Sequence, residues 1–318
     1  MRALIVDHSE PSGLRLGVAP DPTPGPGEVL VRVAAFGLNA GDLAAARGLS
    51  EGSVPGWEAA GHVVRAAAGG SGPAAGTPVT TFGYDGGWAE YRAVPLDMLG
   101  AAPAGADLAA ISTVPIAAGS ALRALRRSGP VLGRRIMITG ATGGVGRYAI
   151  QLARLGGALP VAVTRSPGKY ADELLDLGAA AVVAEPEDYP DTVHTVIDTV
   201  GGPLLVRAFD RLENCGVLIS LGHLATEAES FPPGALMADP RRNNRTIVSF
   251  HQFDGTPLPP DFTWLSEQLT QGLLRPSISW RGSWRRIHEA TAALAGGTLH
   301  GKAVADVEPA PLDDAHRA

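Results

Sequence analysis

Cysteine is nearly absent from this chain. A single Cys215 among 318 residues excludes an internal disulfide, and no cysteine cluster exists that could hold a structural zinc. Lysine is almost as scarce, with Lys169 and Lys302 set against 24 arginines, so the position of each lysine carries information. No stretch of about 18 uncharged apolar residues occurs. The opening MRALIVDHSE has neither the long apolar segment nor the small-residue cleavage site of a secretion signal. A cytoplasmic protein without membrane contact is therefore expected. Basic runs are missing too, and a net charge of −6 offers a phosphate backbone little to hold, which argues against nucleic acid as a partner.

What is present is a globular composition, with 45% hydrophobic and 18% charged residues, enough for large cores and too apolar for a disordered chain. The length suits two domains. Up to about residue 112 the pattern is short apolar or alternating runs broken by Gly and Pro: Glu28 to Val33, His62 to Ala66, Pro78 to Phe82 and Trp88 to Val94. Such runs predict an irregular, mostly antiparallel β domain.

From about residue 134 the texture becomes apolar strand, Gly-rich turn, helix and strand again. Six strands are predicted, at Ile136 to Thr139, Val161 to Thr164, Ala181 to Ala184, Thr195 to Asp198, Val217 to Leu221 and Thr246 to Phe250. Helices are expected near Gly144 to Leu155, Lys169 to Leu177 and Leu204 to Leu212. The alternation implies an α/β, doubly wound parallel sheet. Two further helices, near Asp261 to Gln271 and Trp284 to Leu294, precede the alternating strand Lys302 to Val307. That last strand needs a partner outside a completed parallel sheet. The economical solution returns it to the amino-terminal β domain, so that residues 1–112 and 252–318 form one domain and 113–251 an inserted nucleotide-binding one.

In 136-IMITGATGGVGRYAIQLARLG-156, Ala141, Gly143 and Gly146 form an A-x-G-x-x-G pattern between a strand and a helix. Gly143 admits a pyrophosphate close to the backbone and Gly146 permits tight helix-to-strand packing. The helix that follows offers free N–H groups and the positive end of its dipole. Ala141, Thr142, Gly143, Gly144, Val145 and Gly146 are thus candidate cofactor contacts. An NAD site wants a carboxylate about 20 residues on, to accept from the ribose 2′-hydroxyl. None occurs from Arg147 to Ala171. Thr164, Arg165, Ser166 and Lys169 follow the second strand instead, a hydroxyl and cation set suited to a dianionic 2′-phosphate. NADPH is the expected cofactor.

With these residues in view, the chain resembles the medium-chain dehydrogenase/reductase superfamily, and specifically its zinc-free quinone oxidoreductase branch. The ordered motifs that carry the resemblance are 37-GLNAGD-42, 55-PGWEAAGHV-63, 86-GGWAEYRAV-94, 115-PIAAGSALRAL-125, 139-TGATGGVG-146, 176-DLGA-179, 197-IDTVGG-202, 216-GVLISLG-222 and 301-GKAV-304. The resemblance implies a GroES-like β-rich catalytic domain joined to a Rossmann domain, and a homodimer paired through the last Rossmann strands. It implies that Asn39 hydrogen-bonds near the nicotinamide or the substrate beside Asp42, and that Ser120 lies close to the nicotinamide. It also assigns Val200, Leu221, Gly222, His223, Phe250 and Lys302 to the cofactor. Asp42 and Glu58 read as supports of the first loop more than as acid–base groups.

Zinc-dependent relatives use a Cys, a His, and a Cys or Asp. Asn39 and Trp57 stand at the first two positions, and no cysteine lies in 111–120. Neither Asn nor Trp is a zinc ligand, so no metal is expected. Without a Lewis acid, reduction of a quinone or of an α,β-unsaturated carbonyl fits better than alcohol oxidation, because conjugation delocalises the incoming charge. Trp57 suits a substrate pocket or a core, and Tyr84 a site mouth or a structural role. The loop tyrosine frequent in quinone and enoyl-thioester reductases is missing, with Leu49 and Ser50 in its place. His223 and His251, each just past a strand end, become the candidate proton donors. The other readings left open are an enoyl-thioester reductase and an NADPH-binding protein with little catalysis.

Overall fold

The computed structural model describes residues 1–308, so the part of the expected 252–318 segment past 308 lies outside the described residues. The chain divides into two compact units. One holds Met1–Ile116 together with the chain from Pro257, the other Ala117–Thr256. These crossings fall a few residues after 112 and 251, and hydrogen bonds give the reason. The Ile116 N–H donates to Glu58 Oε2 at 2.9 Å, which holds Ile116 in the first unit. Arg123 donates to the Gln252 carbonyl at 2.7 Å and to Thr256 Oγ1 at 2.8 Å, which holds 252–256 in the second.

The first unit is built on the long strand Glu28–Leu38, whose Val29, Val31 and Val33 alternate into the interior as a half-buried strand should. Two register shifts opposite Glu58–Arg65 bend it, so that Val29 and Val31 pack with Val63, Val79 and Val94. Val33 and Phe36 instead join Leu4, Trp88 and Trp284. The sheet runs Ile278–Ser283, Lys302–Asp306, Glu28–Leu38, Glu58–Arg65, Pro78–Phe82, Leu99–Ala101, with Tyr91–Pro95 also on Glu28–Leu38. The final strand pairs antiparallel with Glu28–Leu38, the return that its alternation demanded.

Some sequence expectations shift. The run from Trp88 is strand only over Tyr91–Pro95, because Trp88 is committed to the core and its indole donates to the Gly37 carbonyl. Trp284–Arg286 is a 3-10 turn before the helix Ile287–Ala295. The strand Ile278–Ser283, parallel to Lys302–Asp306, gave no clear signal in the sequence.

In the second unit six parallel strands lie in the order Ala181–Val183, Leu159–Val163, Arg135–Ile138, Val193–Asp198, Leu212–Ser220, Thr246–Ser249. Chain direction reverses its progress between the third and fourth of these, the point at which doubly wound sheets bind ligands. Met137, Val161, Val163, Val196 and Leu218 pack there with Leu205 and Phe209 of the helix Gly202–Asp210. Leu212, expected to end that helix, begins the next strand instead.

Candidate functional site

The turn between the strand Arg135–Ile138 and the helix Gly144–Leu155 is closed by the Gly143 N–H on the Gly140 carbonyl at 2.9 Å. Gly146 is required by contact: a Cβ there would lie 2.5 Å from the Gly140 oxygen and 2.7 Å from Ala141 Cα. Ala141 is fully buried, its N–H bonded to Val163, so it shapes the loop. Thr142, Gly143, Gly144 and Val145 remain partly accessible. The first amides of a helix have no intrahelical acceptor, and with the dipole they form an anion site.

A second lock holds this turn to its neighbour. Thr139 Oγ1 donates to Asp198 Oδ1 at 2.5 Å, and Asp198 Oδ2 accepts from Gly201 N at 2.8 Å. Thr199 donates back to the Thr139 carbonyl at 2.9 Å. Burial raises the Asp198 carboxyl while these hydrogen bonds oppose the rise. The carbonyl of Asp198 also receives Leu221 N, and that of Val200 receives Leu224 N and Ala225 N. Val200, Leu221 and Gly222 therefore form one bonded rim at the carboxyl ends of adjacent strands.

At the end of the strand Leu159–Val163, Thr164 is buried, whereas Arg165, Ser166 and Lys169 are exposed. Ser166 starts the helix Pro167–Asp176. Lys169 Nζ sits 4.8 Å from the Tyr170 ring centroid, and the Arg147 guanidinium 5.9 Å from it. Sequence reasoning missed Arg147 and Tyr170. It also stopped short of Glu173, a carboxylate on that helix, which is ion-paired to Arg147.

His223 is half exposed, with Nε2 3.0 Å from Glu229 Oε1. The same oxygen accepts Gly202 N at 2.8 Å, and this bond holds the Glu229 carboxyl below its ordinary value. Phe250 N donates to the Ser220 carbonyl. His251 is exposed, its ring 5.3 Å from that of Phe253. Ser120, on the first turn of the helix Gly119–Arg127, donates to Gln252 Oε1 at 2.8 Å.

In the first unit the first-loop residues form a buried charge cluster. Asn39 caps the helix Ala40–Ala46, and its backbone N–H and Nδ2 both donate to Asp42 Oδ2, at 2.8 and 2.9 Å. Nδ2 donates also to Glu58 Oε1 at 2.9 Å. Lys302 Nζ donates to Asn39 Oδ1 at 2.7 Å, to Glu58 Oε1 and, at 3.4 Å, to the Leu38 carbonyl. The amide of Asn39 and the ammonium of Lys302 are thus both engaged within this unit. Asp42, Glu58 and Lys302 are buried. Burial, and then the charge of Glu58, push the Asp42 carboxyl up to about 7 against the pull of Asn39 and Lys302. Trp57 lies against Gly41, where a Cβ would come within 2.9 Å of its ring. Its carbonyl accepts from Arg92 Nη1 at 3.1 Å. Arg92 is itself buried, and burial lowers it to about 10. Tyr84 is 61% exposed, its ring edge-on to Phe82 at 5.4 Å.

This donor set does not fit zinc. The Glu58 carboxylate already meets an ammonium and a backbone N–H, the Asn39 amide donates both Nδ2 hydrogens and accepts from Lys302 on Oδ1, and neither an amide nor an indole is a usual ligand of the ion.

A glycine loop at a sheet reversal in the second unit, with a β-rich first unit in the same chain, is the architecture of a two-domain dinucleotide-binding oxidoreductase. Residues 25–104 match the family model of the alcohol dehydrogenase GroES-like domain, and 144–270 that of the zinc-binding dehydrogenases. The chain belongs to the medium-chain dehydrogenase/reductase superfamily. It is 28% identical over 257 residues to acryloyl-coenzyme A reductase of Metallosphaera sedula, covering 70% of this chain and 77% of that protein. It is 29% identical over 306 residues to 2-methylene-furan-3-one reductase of Solanum lycopersicum, covering 89% and 72%. The fold superposes on a mycobacterial quinone oxidoreductase with a TM-score of 0.84 at 22% identity, over 96% of this chain and 99% of that one.

Proposed function

We propose that this protein is an NADPH-dependent, zinc-independent reductase that passes a hydride to the electron-poor C=C of an α,β-unsaturated carbonyl or to a quinone. The observation that carries the reading is the pairing of an open helix N-terminus behind Gly143 with the exposed Arg165, Ser166 and Lys169 at the next strand end. The cradle takes a diphosphate, and the cation and hydroxyl set takes a 2′-phosphate. Similarity to the acryloyl-coenzyme A and 2-methylene-furan-3-one reductases supports an activated double bond as acceptor. The first of these also favours a thioester as a second substrate class.

When bound, NADPH supplies the hydride. The chain's own residues bind and orient. Thr142 to Gly146 hold the diphosphate, while Val200, Leu221, Gly222 and Phe250 border the nicotinamide half. Ser120 belongs to the same end. Asn39, Trp57 and Tyr84 are assigned to the substrate side, with Asp42, Glu58 and Lys302 fixing the orientation of Asn39. His223 or His251, both open to water, would pass the proton that follows the hydride. The reading includes a cytoplasmic homodimer joined through the Thr246–Ser249 edge, where Ile247 is 42% exposed. Among the described residues no helix is long and apolar enough to cross a membrane.

The experiment is a cofactor titration against Arg165→Ala and Lys169→Ala, with turnover measured on quinones, enones and enoyl thioesters. NADPH affinity should fall by about 1 to 3 kcal/mol for each lost charge-assisted bond, with NADH little changed. Equal losses for both cofactors would refute the assignment.

A further inference from the structure

Gln252 is 6% exposed, and its Nε2 is a buried donor without a partner among the described residues. Such a group is costly, and native chains seldom leave one unmet without a use for it. The rest of the residue is held firmly. Its Oε1 accepts from Ser120 Oγ at 2.8 Å. Its carbonyl accepts from Arg123 Nη1 at 2.7 Å, and Arg123 is itself only 4% exposed. Arg123 also donates to Thr256 Oγ1, while Arg127 pairs with Asp254. Thr256 and Arg127 together hold the Asp254 carboxyl far below the carboxylate range. A buried arginine and an ion pair therefore clamp 252–256 to the helix Gly119–Arg127, with one amide position of Gln252 left unmet.

Strand order places Gln252 along the sheet. Gln252 lies just past the carboxyl end of Thr246–Ser249, the outermost strand of the sheet. The glycine loop follows Arg135–Ile138, and the phosphate-type cluster Arg165, Ser166 and Lys169 lies on one side of it, after Leu159–Val163. A dinucleotide laid across the strand ends from that cluster must carry its second half toward Val193–Asp198, Leu212–Ser220 and Thr246–Ser249.

We propose that Gln252 binds the carboxamide of the nicotinamide ring, with Ser120 and Arg123 as its positioning residues. The inference rests on the NADPH reading above. A carboxamide offers both a carbonyl oxygen and an NH2, so it meets the Gln252 amide in either orientation. Meeting it turns an unmet buried donor into a hydrogen bond only when cofactor is present, so the site is pre-organised for that ring and its unmet donor in the empty protein is satisfied on binding.

The test compares Gln252→Met and Ser120→Ala with the parent by fluorescence titration of NADPH and by titration of 2′,5′-ADP, which carries the adenosine half alone. Gln252→Met should weaken NADPH about three- to tenfold, the range of one lost hydrogen bond, and leave 2′,5′-ADP unchanged. Ser120→Ala should show the same pattern with a smaller loss, which keeps the test available if the methionine variant folds poorly. Unchanged NADPH affinity in both variants overturns the proposal while leaving the cofactor reading intact. Equal losses for NADPH and 2′,5′-ADP overturn it as well, since the effect would then be general. A parent that binds neither ligand sinks the cofactor reading itself.

Discussion

Replacing Asp42 by Asn should change how stability depends on pH, and the change can be worked from the buried cluster. Asp42 is 1% exposed and its Oδ1 has no partner among the described residues. Asn39 donates twice to Oδ2, Glu58 adds negative charge, and Lys302 and Arg92 add positive charge nearby. Burial dominates and raises the carboxyl to about 7 from 3.8. A carboxyl with a raised folded-state pKa binds more protons folded than unfolded between those two values. Stability is therefore lost as pH rises through that window and levels off above it. At about 1.4 kcal/mol per pH unit, the loss by pH 8 is on the order of 4 kcal/mol. Asparagine keeps the acceptor for Asn39 and cannot ionise. Urea unfolding of both proteins from pH 4 to 9 should give equal stabilities at the acid end, with the variant gaining steadily through pH 5 to 7. A difference that stays flat with pH, or a variant weaker than the parent at pH 8, would refute the reasoning.

Gly146→Ala should cost about 1 to 3 kcal/mol, because the loop must shift away from a methyl that meets the Gly140 oxygen and Ala141. Dinucleotide affinity should fall with it, as calorimetry would register. Lys302→Met leaves Glu58 buried with only a backbone N–H and an amide, and should cost about 3 to 5 kcal/mol. Adding Glu58→Gln should restore most of that, and a double variant as weak as the single one would contradict it. Chelator should leave turnover intact, and elemental analysis should find no stoichiometric zinc; one tightly held zinc per chain whose removal abolishes activity would overturn that reading. In His223→Gln and His251→Gln, enone turnover should fall about 10²-fold or more in whichever variant lacks the acid. Quinone turnover should change little, and full enone activity in the double variant would exclude both histidines.

Local chemistry was legible in the residues. The pattern of 139-TGATGGVG-146 needs no tertiary context, because a strand, a glycine-rich turn and a helix start are all encoded within a few residues of one another. The same holds for Arg165, Ser166 and Lys169, which run from just past one strand into the first turn of the next helix. The six-strand alternation prescribed the parallel sheet, since strands running the same way must be joined by crossovers. What only the tertiary structure decided involves residues far apart in sequence. Lys302 meets Glu58 across 244 positions and Ser120 meets Gln252 across 132, pairings set by the return of the last strand and by the clamp of Arg123. Motif position alone assigned Asn39 and Lys302 to the cofactor; packing engages both with Glu58 as well. The raised Asp42 carboxyl and the unmet donor of Gln252 have no sequence signal at all, because burial is a property of neighbours that a chain acquires only on folding.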